Sequence, residues 1–369
     1  MLKNIVLKNF KCFECMNVEL SYLNVFSGIN SMGKSSVIQS LLLLRQSFEK
    51  KSIKKGIYLN GVYTNIGTGY ELLYRQAKTE SIGIELKTDH FDILNEYKYE
   101  RDNVFLSKTN HNDNKNIVLE EESLFSKNFT YISSERISPK RFYLSSYYDI
   151  YEEDQIGCKG DFLADYMAEK GSTLKVSNSK LIIPEVKSDF LSFQLDAWLK
   201  KIGVDVSLHA EKLKRTGTVS LEYKVGGDSF TPLNVGYGIT YVAPVVLALL
   251  KAKNGDLVII ENPEVYLHPK GQRILGEMIS LAASGGVQVI IETHSDHLLN
   301  GIRIAVKQNK IANSFTKLIF FFKDQVHDEE LGEIVVSKKV CPQILENGQL
   351  SSWPDGFFDE WDKALEELF

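Results

Sequence analysis

The spacing of hydrophobic residues changes repeatedly along the chain, and each change predicts a different element. Residues 1–27 contain short alternating runs, NIVLKNF, MNVEL and LNVFSG, which are typical of β-strands. From Ser35 to about Phe48 the apolar residues recur with the spacing of a helix. Much later, the apolar runs DLVIIE and VQVIIE predict parallel strands covered on both faces, and GQRILGEMISLAAS between them predicts a connecting helix. The pattern therefore favours an α/β fold.

The middle of the chain is more mixed. The β-forming segments YELLYRQ, SIGIEL and FDILNEYKYE precede a polar stretch, SKTNHNDNKNIVLEEE, which we expect to be an exposed loop or hairpin tip. FTYISSERISPKRFYL predicts a strand that ends in a polar turn, whereas GDFLADYMAEKG and DFLSFQLDAWLKKIG predict helices. We predict a single domain, 1–369, made of a β-rich lobe at 1–140, a helical insertion at 141–215, a second lobe at 216–340 and an acidic aromatic C-terminal segment at 341–369.

Composition narrows the classes of partner. The chain has 43 Lys and Arg against 48 Asp and Glu, so its formal net charge is -5 and any nucleic-acid site must be a local patch. Its 4 cysteines are too few and too scattered for a disulfide framework. The N-terminus lacks the apolar core of a signal peptide, and no apolar run approaches the ~18 residues of a membrane span. We expect a cytoplasmic protein that has no membrane partner.

The segment GINSMGKS, which ends at Ser35, matches the phosphate-binding pattern G-x-x-x-x-G-K-[ST]. It follows a strand-like run and precedes the predicted helix, which is the setting that the pattern requires. Glycines let backbone N–H groups converge on an anion, and a helix N-terminus adds partial positive charge. Lys34 would bridge the β- and γ-phosphates, and the Ser35 hydroxyl would ligate Mg²⁺. The candidate nucleotide-binding residues are Gly28, Asn30, Ser31, Gly33, Lys34, Ser35 and Ser36.

The order of further motifs after this loop resembles a known family. A glycine turn that leads into a helix, LNVGYG, is followed by the strand LVIIE and then by the strand end ETHS. This order resembles the ABC-type ATPases, and most closely the chromosome-maintenance (SMC), RecF-like and overcoming-lysogenization-defect (OLD) branch. PEVYLHP and ETHSDHLL are similar to stand-alone prokaryotic AAA-family ATPases. The resemblance implies an ABC-type ATPase head: a P-loop parallel-sheet core, an N-terminal antiparallel β subdomain and an α-helical insertion.

The resemblance also implies an ATP-dependent homodimer that uses Mg²⁺. Each phosphate loop would face the partner's glycine-led helix start, here Asn234, Gly236 and Gly238, although NVGYG replaces the usual Ser-Gly-Gly. It implies that His294 senses the γ-phosphate and positions water, and that Lys11 approaches the nucleotide or a polyanion. A structural glycine turn, a strand-end histidine and a solvated lysine are the alternative interpretations.

The strand LVIIE ends in a set of candidate catalytic residues. Hydrolysis of ATP needs a group that holds Mg²⁺, and commonly a second group that orients or deprotonates the attacking water. In the related pattern, Asp-Glu-Pro, the first acid serves the metal and the second is the base, but here Glu261 and Asn262 hold those positions. Asn262 can orient a water but cannot accept a proton. Three interpretations stay open: Glu264 is the base, Glu292 is the base, or there is no base and hydrolysis is slow.

These observations lead to two function hypotheses. In the first, ATP-driven dimer closure senses or grips DNA or RNA, in anti-phage defence or in RecF-like repair. In the second, an ATP-bound scaffold restrains a separate toxic effector through the acidic aromatic C-terminal segment. No topoisomerase-primase nuclease signature follows the ATPase motifs, so we expect any nuclease or toxin partner to be a separate polypeptide.

Overall fold

The computed structural model describes residues 1–29, 31–109, 118–328, 332–358 and 360–369. The strands are β1 (Leu2–Phe10), β2 (Phe13–Glu19), β3 (Leu23–Gly28), β4 (Gly56–Tyr58), β5 (Ser81–Thr88), β6 (Asp92–Lys98), β7 (Phe105–Ser107), β8 (Phe129–Ile132), β9 (Phe142–Leu144), β10 (Ser207–Leu213), β11 (Thr218–Val225), β12 (Asp228–Phe230), β13 (Leu257–Glu261), β14 (Gln288–Glu292), β15 (Thr316–Asp328) and β16 (Gly332–Val340). The helices are α1 (Lys34–Glu49), α2 (Gly69–Leu72), α3 (Leu163–Lys170), α4 (Leu191–Ile202), α5 (Tyr237–Lys251), α6 (Pro269–Ser284), α7 (Asp296–Lys307) and α8 (Glu360–Leu368).

These elements form two compact units. The first unit consists of Met1–Ser126, Lys317–Gln343 and Ser351–Phe369, and the second of Lys127–Thr316 and Ile344–Leu350. The described part of the chain contains no helix long and apolar enough to cross a membrane. Half of the polar stretch expected as a loop, residues 110–117, lies outside the described residues.

An antiparallel sheet with the strand order β2-β1-β5-β6 forms much of the first unit. β1 and β2 make a hairpin in which Phe10 pairs with Phe13, and burial alternates along β1, so that Ile5 and Leu7 lie in the core. The three expected N-terminal strands are present. However, β3 leaves the hairpin's sheet and lies in the order β16-β15-β3. Its residues Leu23–Ser27 are all buried, which suits an interior strand better than the edge of a hairpin.

Of two helices in the first unit, α1 was expected from the sequence pattern and α2 was not. α1 confirms the helix expected after the phosphate loop, and it buries Val37 and Leu41 completely. The segment YELLYRQ, expected to favour a strand, begins instead within the short helix α2. Thr68 and Glu71 form a capping box there, in which the Glu71 carboxylate accepts the Thr68 N–H at 2.8 Å. That local cap outweighs the β-propensity of the neighbouring residues.

The last part of the C-terminal segment, Ser351–Phe369, is anchored within the first unit. Phe357 is fully buried, and its ring centroid lies 5.2 Å from that of Phe320 on β15. Trp353 packs against Phe357 with the ring centroids 5.9 Å apart. These contacts pack the aromatic residues of this segment against β15.

The central sheet of the second unit is parallel and has the order β14-β13-β8. Ile259 on β13 lies opposite Ile290 on β14 and Tyr131 on β8. The two apolar runs therefore form neighbouring buried strands, and α6 connects them, as their pattern predicts. Parallel strands end at the same edge of a sheet, so the residues that follow β8, β13 and β14 come together.

The rest of the second unit contains the predicted helices α3 and α4 beside an antiparallel sheet. That sheet has the order β10-β11-β12, and β9 also pairs with β11. α4 is held by Trp198, whose Nε1 donates to the Leu181 carbonyl oxygen at 2.8 Å. The division of the chain into the parts 1–140, 141–215, 216–340 and 341–369 stays a prediction.

Asp196 on α4 makes the stability of the second unit dependent on pH. Its carboxylate accepts the Leu208 N–H at 2.9 Å, and burial raises its pKa from 3.8 to about 6. Because the native state then holds the proton more tightly than the unfolded chain does, this contribution to stability is fully present below 3.8 and is lost as the pH rises through about 6. Asp196→Asn keeps an acceptor that does not ionise, so we expect it to stabilise the protein by about 1–2 kcal/mol at about pH 8.

Urea denaturation at about pH 4 and about pH 8 measures this difference. We expect the gain in the free energy of unfolding to shrink towards zero at the lower pH. The exposed Asp228→Asn is the control, and it should change the stability little at either pH. A gain that is equal at both values would contradict the assignment to Asp196.

Candidate functional site

The phosphate loop lies in the first unit, between β3 and α1. Gly28 has a φ of 137°, and a Cβ atom there would lie 2.3 Å from the Phe321 carbonyl oxygen. Gly33 has a φ of 109°, and a Cβ atom there would lie 2.3 Å from the Phe13 ring. A left-handed backbone and close neighbours exclude a side chain at both positions. The loop therefore leads into the N-terminus of α1 along one tightly packed path, and a helix N-terminus attracts anions.

Lys34 turns back into this loop. Its side chain is only 3% exposed, and its Nζ donates to the carbonyl oxygens of Gly28 at 2.8 Å and Ile29 at 2.9 Å. An ammonium group is a compact charge with three donors, so it can exchange carbonyl oxygens for phosphate oxygens without a large movement. This position suits the phosphate contact predicted for Lys34.

The serines of the loop and of the first turn of α1 differ in exposure. Ser31 is exposed and left-handed, with a φ of 63°. Ser35 is exposed in the first turn of α1, where its hydroxyl can reach an ion. The Ser36 hydroxyl is buried and lies 3.7 Å from the Cys12 sulfur, so it faces the β1–β2 turn. Asn30, also predicted to bind nucleotide, lies outside the described residues.

Lys11 lies in the β1–β2 turn with a φ of 54°. Its Nζ donates to the Gln39 side-chain oxygen on α1 at 2.6 Å, and burial lowers the pKa of its ammonium group. The structure thus holds Lys11 against the helix that follows the phosphate loop. Its predicted contact with the nucleotide or a polyanion stays a prediction.

The second unit brings the candidate carboxylates together. Glu261 ends β13, lies opposite Glu292 at the end of β14, and accepts the Ser134 N–H at 3.2 Å. The Tyr131 hydroxyl also lies close, and burial together with the Glu261 charge raises the pKa of that tyrosine above its ordinary value. Glu261 is therefore an ordered, half-buried carboxylate at the carboxyl edge of the parallel strands.

Asn262 is suited to a turn in the backbone. Its φ is 44°, and its N–H donates to the Glu292 carbonyl oxygen at 2.8 Å. Asparagine occurs in the left-handed region several times more often than most residues with a side chain. Its side-chain oxygen Oδ1 is buried and has no hydrogen-bond partner in the described part of the chain. The amide at the usual base position thus fits the conformation that the chain takes there.

Glu264 lies beyond this turn and is only 8% exposed. Its Oε1 accepts the His294 N–H at 3.0 Å, whereas its Oε2 is buried and has no hydrogen-bond partner among the described residues. Burial raises the pKa of the carboxyl group, although the His294 N–H, the Thr293 hydroxyl and the Arg136 charge oppose the increase. Glu264 is therefore a fixed carboxylate with one oxygen that its neighbours do not use.

Glu292 and His294 flank the end of β14. The Glu292 side chain is 7% exposed, whereas the His294 side chain is exposed and can reach solvent. Ser295 caps α7, because its hydroxyl accepts the Leu298 N–H at 2.9 Å. The structure thus brings Glu261, Asn262, Glu264, Glu292 and His294 to one edge of the second unit.

The glycine-led helix start is also in the second unit. Gly236 is the exposed N-cap of α5, and a Cβ atom there would meet no atom of the described residues within 4 Å. Gly238 is different, because a Cβ atom there would lie 2.8 Å from the Tyr266 carbonyl oxygen. Asn234 is exposed, and its amide donates to the Thr231 hydroxyl at 3.2 Å. Packing thus explains glycine at 238 but not at 236.

A cleft of about 450 Å³ opens at this helix start. Its lining includes Gly236, Gly238, Tyr266, His268 and Lys270. His268 caps α6, since its Nδ1 accepts the Lys270 N–H at 3.2 Å. The positive ends of α5 and α6 both border the cleft, so its field favours an anion.

Sequence reasoning missed Arg136 as a site residue. Its Nη2 donates to the carbonyl oxygens of Glu261 at 2.7 Å and Asn262 at 3.1 Å. The segment YISSERISP that contains it was noticed, but it carries no motif with a known mechanism. The only signal was an arginine soon after a predicted strand end, where parallel strands collect functional residues.

Comparison with family models gives two matches. Residues 23–300 match the family described as "AAA domain, putative AbiEii toxin, Type IV TA system". Residues 317–368 match a family described as "Protein of unknown function (DUF3696)". No curated protein sequence matches the chain.

Solved structures of SMC head domains share the fold. The SMC head bound to the C-winged helix domain of ScpA has a TM-score of 0.55 and 12% identity, and the match covers 93% of this chain and 98% of that one. An SMC head with an extended coiled coil, bound to the C-terminal domain of ScpA derived from Pyrococcus furiosus, has a TM-score of 0.52 and 13% identity over 100% and 99% of the two chains. This likeness concerns the fold, and it confirms the ABC-type head expected from the motif order. The family match spans most of the chain, and the protein therefore belongs to the AAA-domain family of the AbiEii type, with the fold of an SMC ATPase head.

Proposed function

We propose that this protein binds ATP with Mg²⁺ and hydrolyses it. The observation that carries the proposal is the phosphate loop, in which two glycines exclude a side chain and Lys34 is buried against the loop carbonyls. A lysine in a plain structural turn would keep its charged end in water. A charge held inside a loop at a helix N-terminus is what recognition of phosphate requires.

We propose Ser35 as the candidate Mg²⁺ ligand of the first unit and Glu261 as that of the second. Both offer oxygen, the ligand that Mg²⁺ prefers, and magnesium is commonly held by few protein groups together with phosphate oxygens. The Ser35 side chain is exposed, and the Ser134 N–H holds the Glu261 carboxylate in place. Bound there, the ion would neutralise charge on the phosphates.

We infer that Glu264 is the general base. A base needs a fixed position and a free oxygen that accepts the proton of the attacking water. In Glu264 the His294 N–H holds one oxygen, and the other has no protein partner among the described residues. Burial raises the pKa of Glu264, which makes it a stronger base than an exposed carboxylate. Glu292 is the alternative base, and Asn262 and the exposed His294 would orient water or contact the γ-phosphate.

We further propose that ATP closes a homodimer. Gly236 and Asn234 are exposed at the N-terminus of α5, beside a cleft whose field favours an anion. No neighbouring atom explains the glycine at 236, so close approach of a ligand is a better reason for it than packing. In the closed dimer this helix start would meet the γ-phosphate held by the partner's loop.

A cluster of lysines supports nucleic acid as the partner that this closure grips. Lys50, Lys51, Lys54 and Lys55 follow α1 and are all exposed. Lys50 also lies 4.5 Å from the centroid of the Tyr58 ring, so an aromatic face adjoins the charges. In a chain with a net charge of -5, such a local patch is what binding of a phosphate backbone requires.

The combined variant Lys51→Glu, Lys54→Glu and Lys55→Glu should lose nucleic-acid binding. Each lysine that contacts a phosphate contributes about one unit to the salt slope, so we expect the affinity to fall at least about tenfold and the slope to decrease by about two to three units. Gel shifts with ATP and Mg²⁺ on duplex DNA, single-stranded DNA and RNA measure both quantities. The ATP affinity should not change.

In the matched control, glutamate replaces three exposed lysines of the second unit and so reverses their charge: Lys187, Lys214 and Lys224. Equal losses in both triple variants would show that overall charge, and not the patch, governs binding. If the unaltered protein is retained on none of the nucleic acids, the nucleic-acid hypothesis is wrong. The scaffold that restrains a separate toxic effector, and with it a role in anti-phage defence, would then be the better hypothesis, since the family description names a toxin.

A further inference from the structure

Arg136 is a buried cation that binds the turn after β13. Its side chain is 3% exposed, and a single nitrogen, Nη2, donates to the carbonyl oxygens of Glu261 and Asn262. These two carbonyls lie where the chain leaves the strand in a left-handed conformation. The guanidinium therefore holds the backbone at the point that decides where Glu264 lies.

The remaining donors of Arg136 argue against a purely stabilising role. Nε and Nη1 are buried and have no hydrogen-bond partner among the described residues. Burial lowers the pKa of the guanidinium to about 10, so the group still carries its charge at neutral pH. A buried charge with unused donors is unfavourable, and well-packed hydrophobic residues often stabilise such a position better. Groups of this kind collect at functional sites.

The surroundings of Arg136 connect it with Glu264. The Glu264 charge is the largest of the favourable effects that oppose the loss of the Arg136 proton, ahead of Tyr241 and Glu261. The Tyr241 ring centroid lies 5.9 Å from the guanidinium carbon, so an aromatic face adjoins the cation. Arg136 and Glu264 are thus buried side chains of opposite charge that interact electrostatically next to one turn.

We propose that Arg136 is a positioning residue for ATP hydrolysis: its guanidinium clamps the left-handed turn at Asn262 and thereby aims the Glu264 carboxylate at the attacking water. This inference rests on the function proposed above, because it needs Glu264 to act as the base. Arg136 acts through the backbone and through Glu264, and it need not contact the nucleotide.

Three substitutions of Arg136, to Gln, Lys and Ala, test this role. In Arg136→Gln we expect kcat to fall at least about 30-fold while the Kd for ATP stays within about threefold, because only the orientation of the base is lost. Arg136→Lys keeps the charge but lacks the rigid, planar guanidinium that places one nitrogen within reach of both carbonyls, so it should recover only part of the rate. In Arg136→Ala, guanidinium chloride well below denaturing concentrations should restore part of kcat.

Arg45 offers a matched control. It is also 3% exposed, and one of its nitrogens likewise donates to two backbone carbonyls, those of Leu124 and Ser126. We expect Arg45→Gln to lower the thermal stability without lowering the rate per folded molecule, and without rescue by guanidinium. The steady-state rate, the Kd for a fluorescent ATP analogue and the melting temperature are measured for every variant, with Glu264→Gln beside them.

The possible results distinguish a failure of the role proposed for Arg136 from a failure of the proposed ATP hydrolysis. If Glu264→Gln is inactive but Arg136→Gln keeps its rate within about threefold, Arg136 does not position the base. If Arg136→Gln loses rate only in proportion to folded protein, as the control would, and guanidinium does not rescue Arg136→Ala, its role is structural. If Glu264→Gln is as active as the unaltered protein, Glu264 is not the base and this inference fails while ATP hydrolysis stands. If the unaltered protein does not hydrolyse ATP, the proposed function fails and this inference fails with it.

Discussion

Glu264→Gln should reduce kcat for ATP hydrolysis at least about 100-fold, because the amide cannot accept the proton of the attacking water. It keeps an oxygen that can accept the His294 N–H, so the loop and the ATP affinity should change little. Nucleotide that is bound but not cleaved should then hold the homodimer closed. Release of phosphate measures the rate, and size-exclusion chromatography with light scattering in ATP and Mg²⁺ measures the dimer.

Glu292→Gln is the matched control for this experiment. Glu292 is buried to nearly the same extent, 7% against 8% exposed, and lies at the end of the neighbouring strand. We expect its variant to retain most of the rate. If the effects are reversed, Glu292 is the base. If neither variant changes the rate, hydrolysis proceeds without a carboxylate base, and Asn262 is the best candidate for orienting the water.

Lys34→Ala should weaken ATP binding at least about 100-fold, since the ammonium group supplies the charge buried in the phosphate loop. Hydrolysis and ATP-dependent dimerisation should disappear together with binding. Isothermal titration calorimetry with ATP and Mg²⁺ measures the affinity directly.

Two comparisons separate loss of charge from loss of fold in Lys34→Ala. The melting temperature without nucleotide should stay close to that of the unaltered protein, because removing a buried charge also removes its desolvation penalty. Lys51→Ala, at an exposed lysine beyond α1, should bind ATP normally. An unchanged affinity in Lys34→Ala would contradict the assignment of the phosphate loop.

Much of the fold could be predicted because its signals are local. A few consecutive residues were enough to predict buried strands at β13 and β14 and a helix with a buried face at α1. The phosphate loop was equally clear, since the steric need for glycine at Gly28 and Gly33 coincides with a short motif. Exceptions came from interactions that the pattern does not encode. A capping box made a helix of a β-forming segment, and burial on both faces moved β3 into another sheet.

The candidate catalytic residues show the limit of local signals. The sequence left Glu264, Glu292 and no base as equal alternatives, because it does not tell which oxygen has a partner. The contact that supports our proposal of Glu264 is long-range: the His294 N–H reaches Glu264 across 30 residues of sequence. Arg136 contacts the Asn262 carbonyl from 126 residues away, a distance over which no spacing rule operates.

The amino-acid sequence alone therefore predicted a phosphate loop, because glycine, lysine and helix N-terminus act within a span of eight residues, Gly28 to Ser35, and the order of the later motifs supplied the resemblance to ABC-type ATPases. Only the tertiary structure decided how the end of β13 is arranged. Parallel pairing of β8, β13 and β14 brings distant segments to one edge, where the His294 N–H holds one oxygen of Glu264. Asn262, the apparent gap at the usual base position, is the residue whose left-handed backbone leads the chain to Glu264.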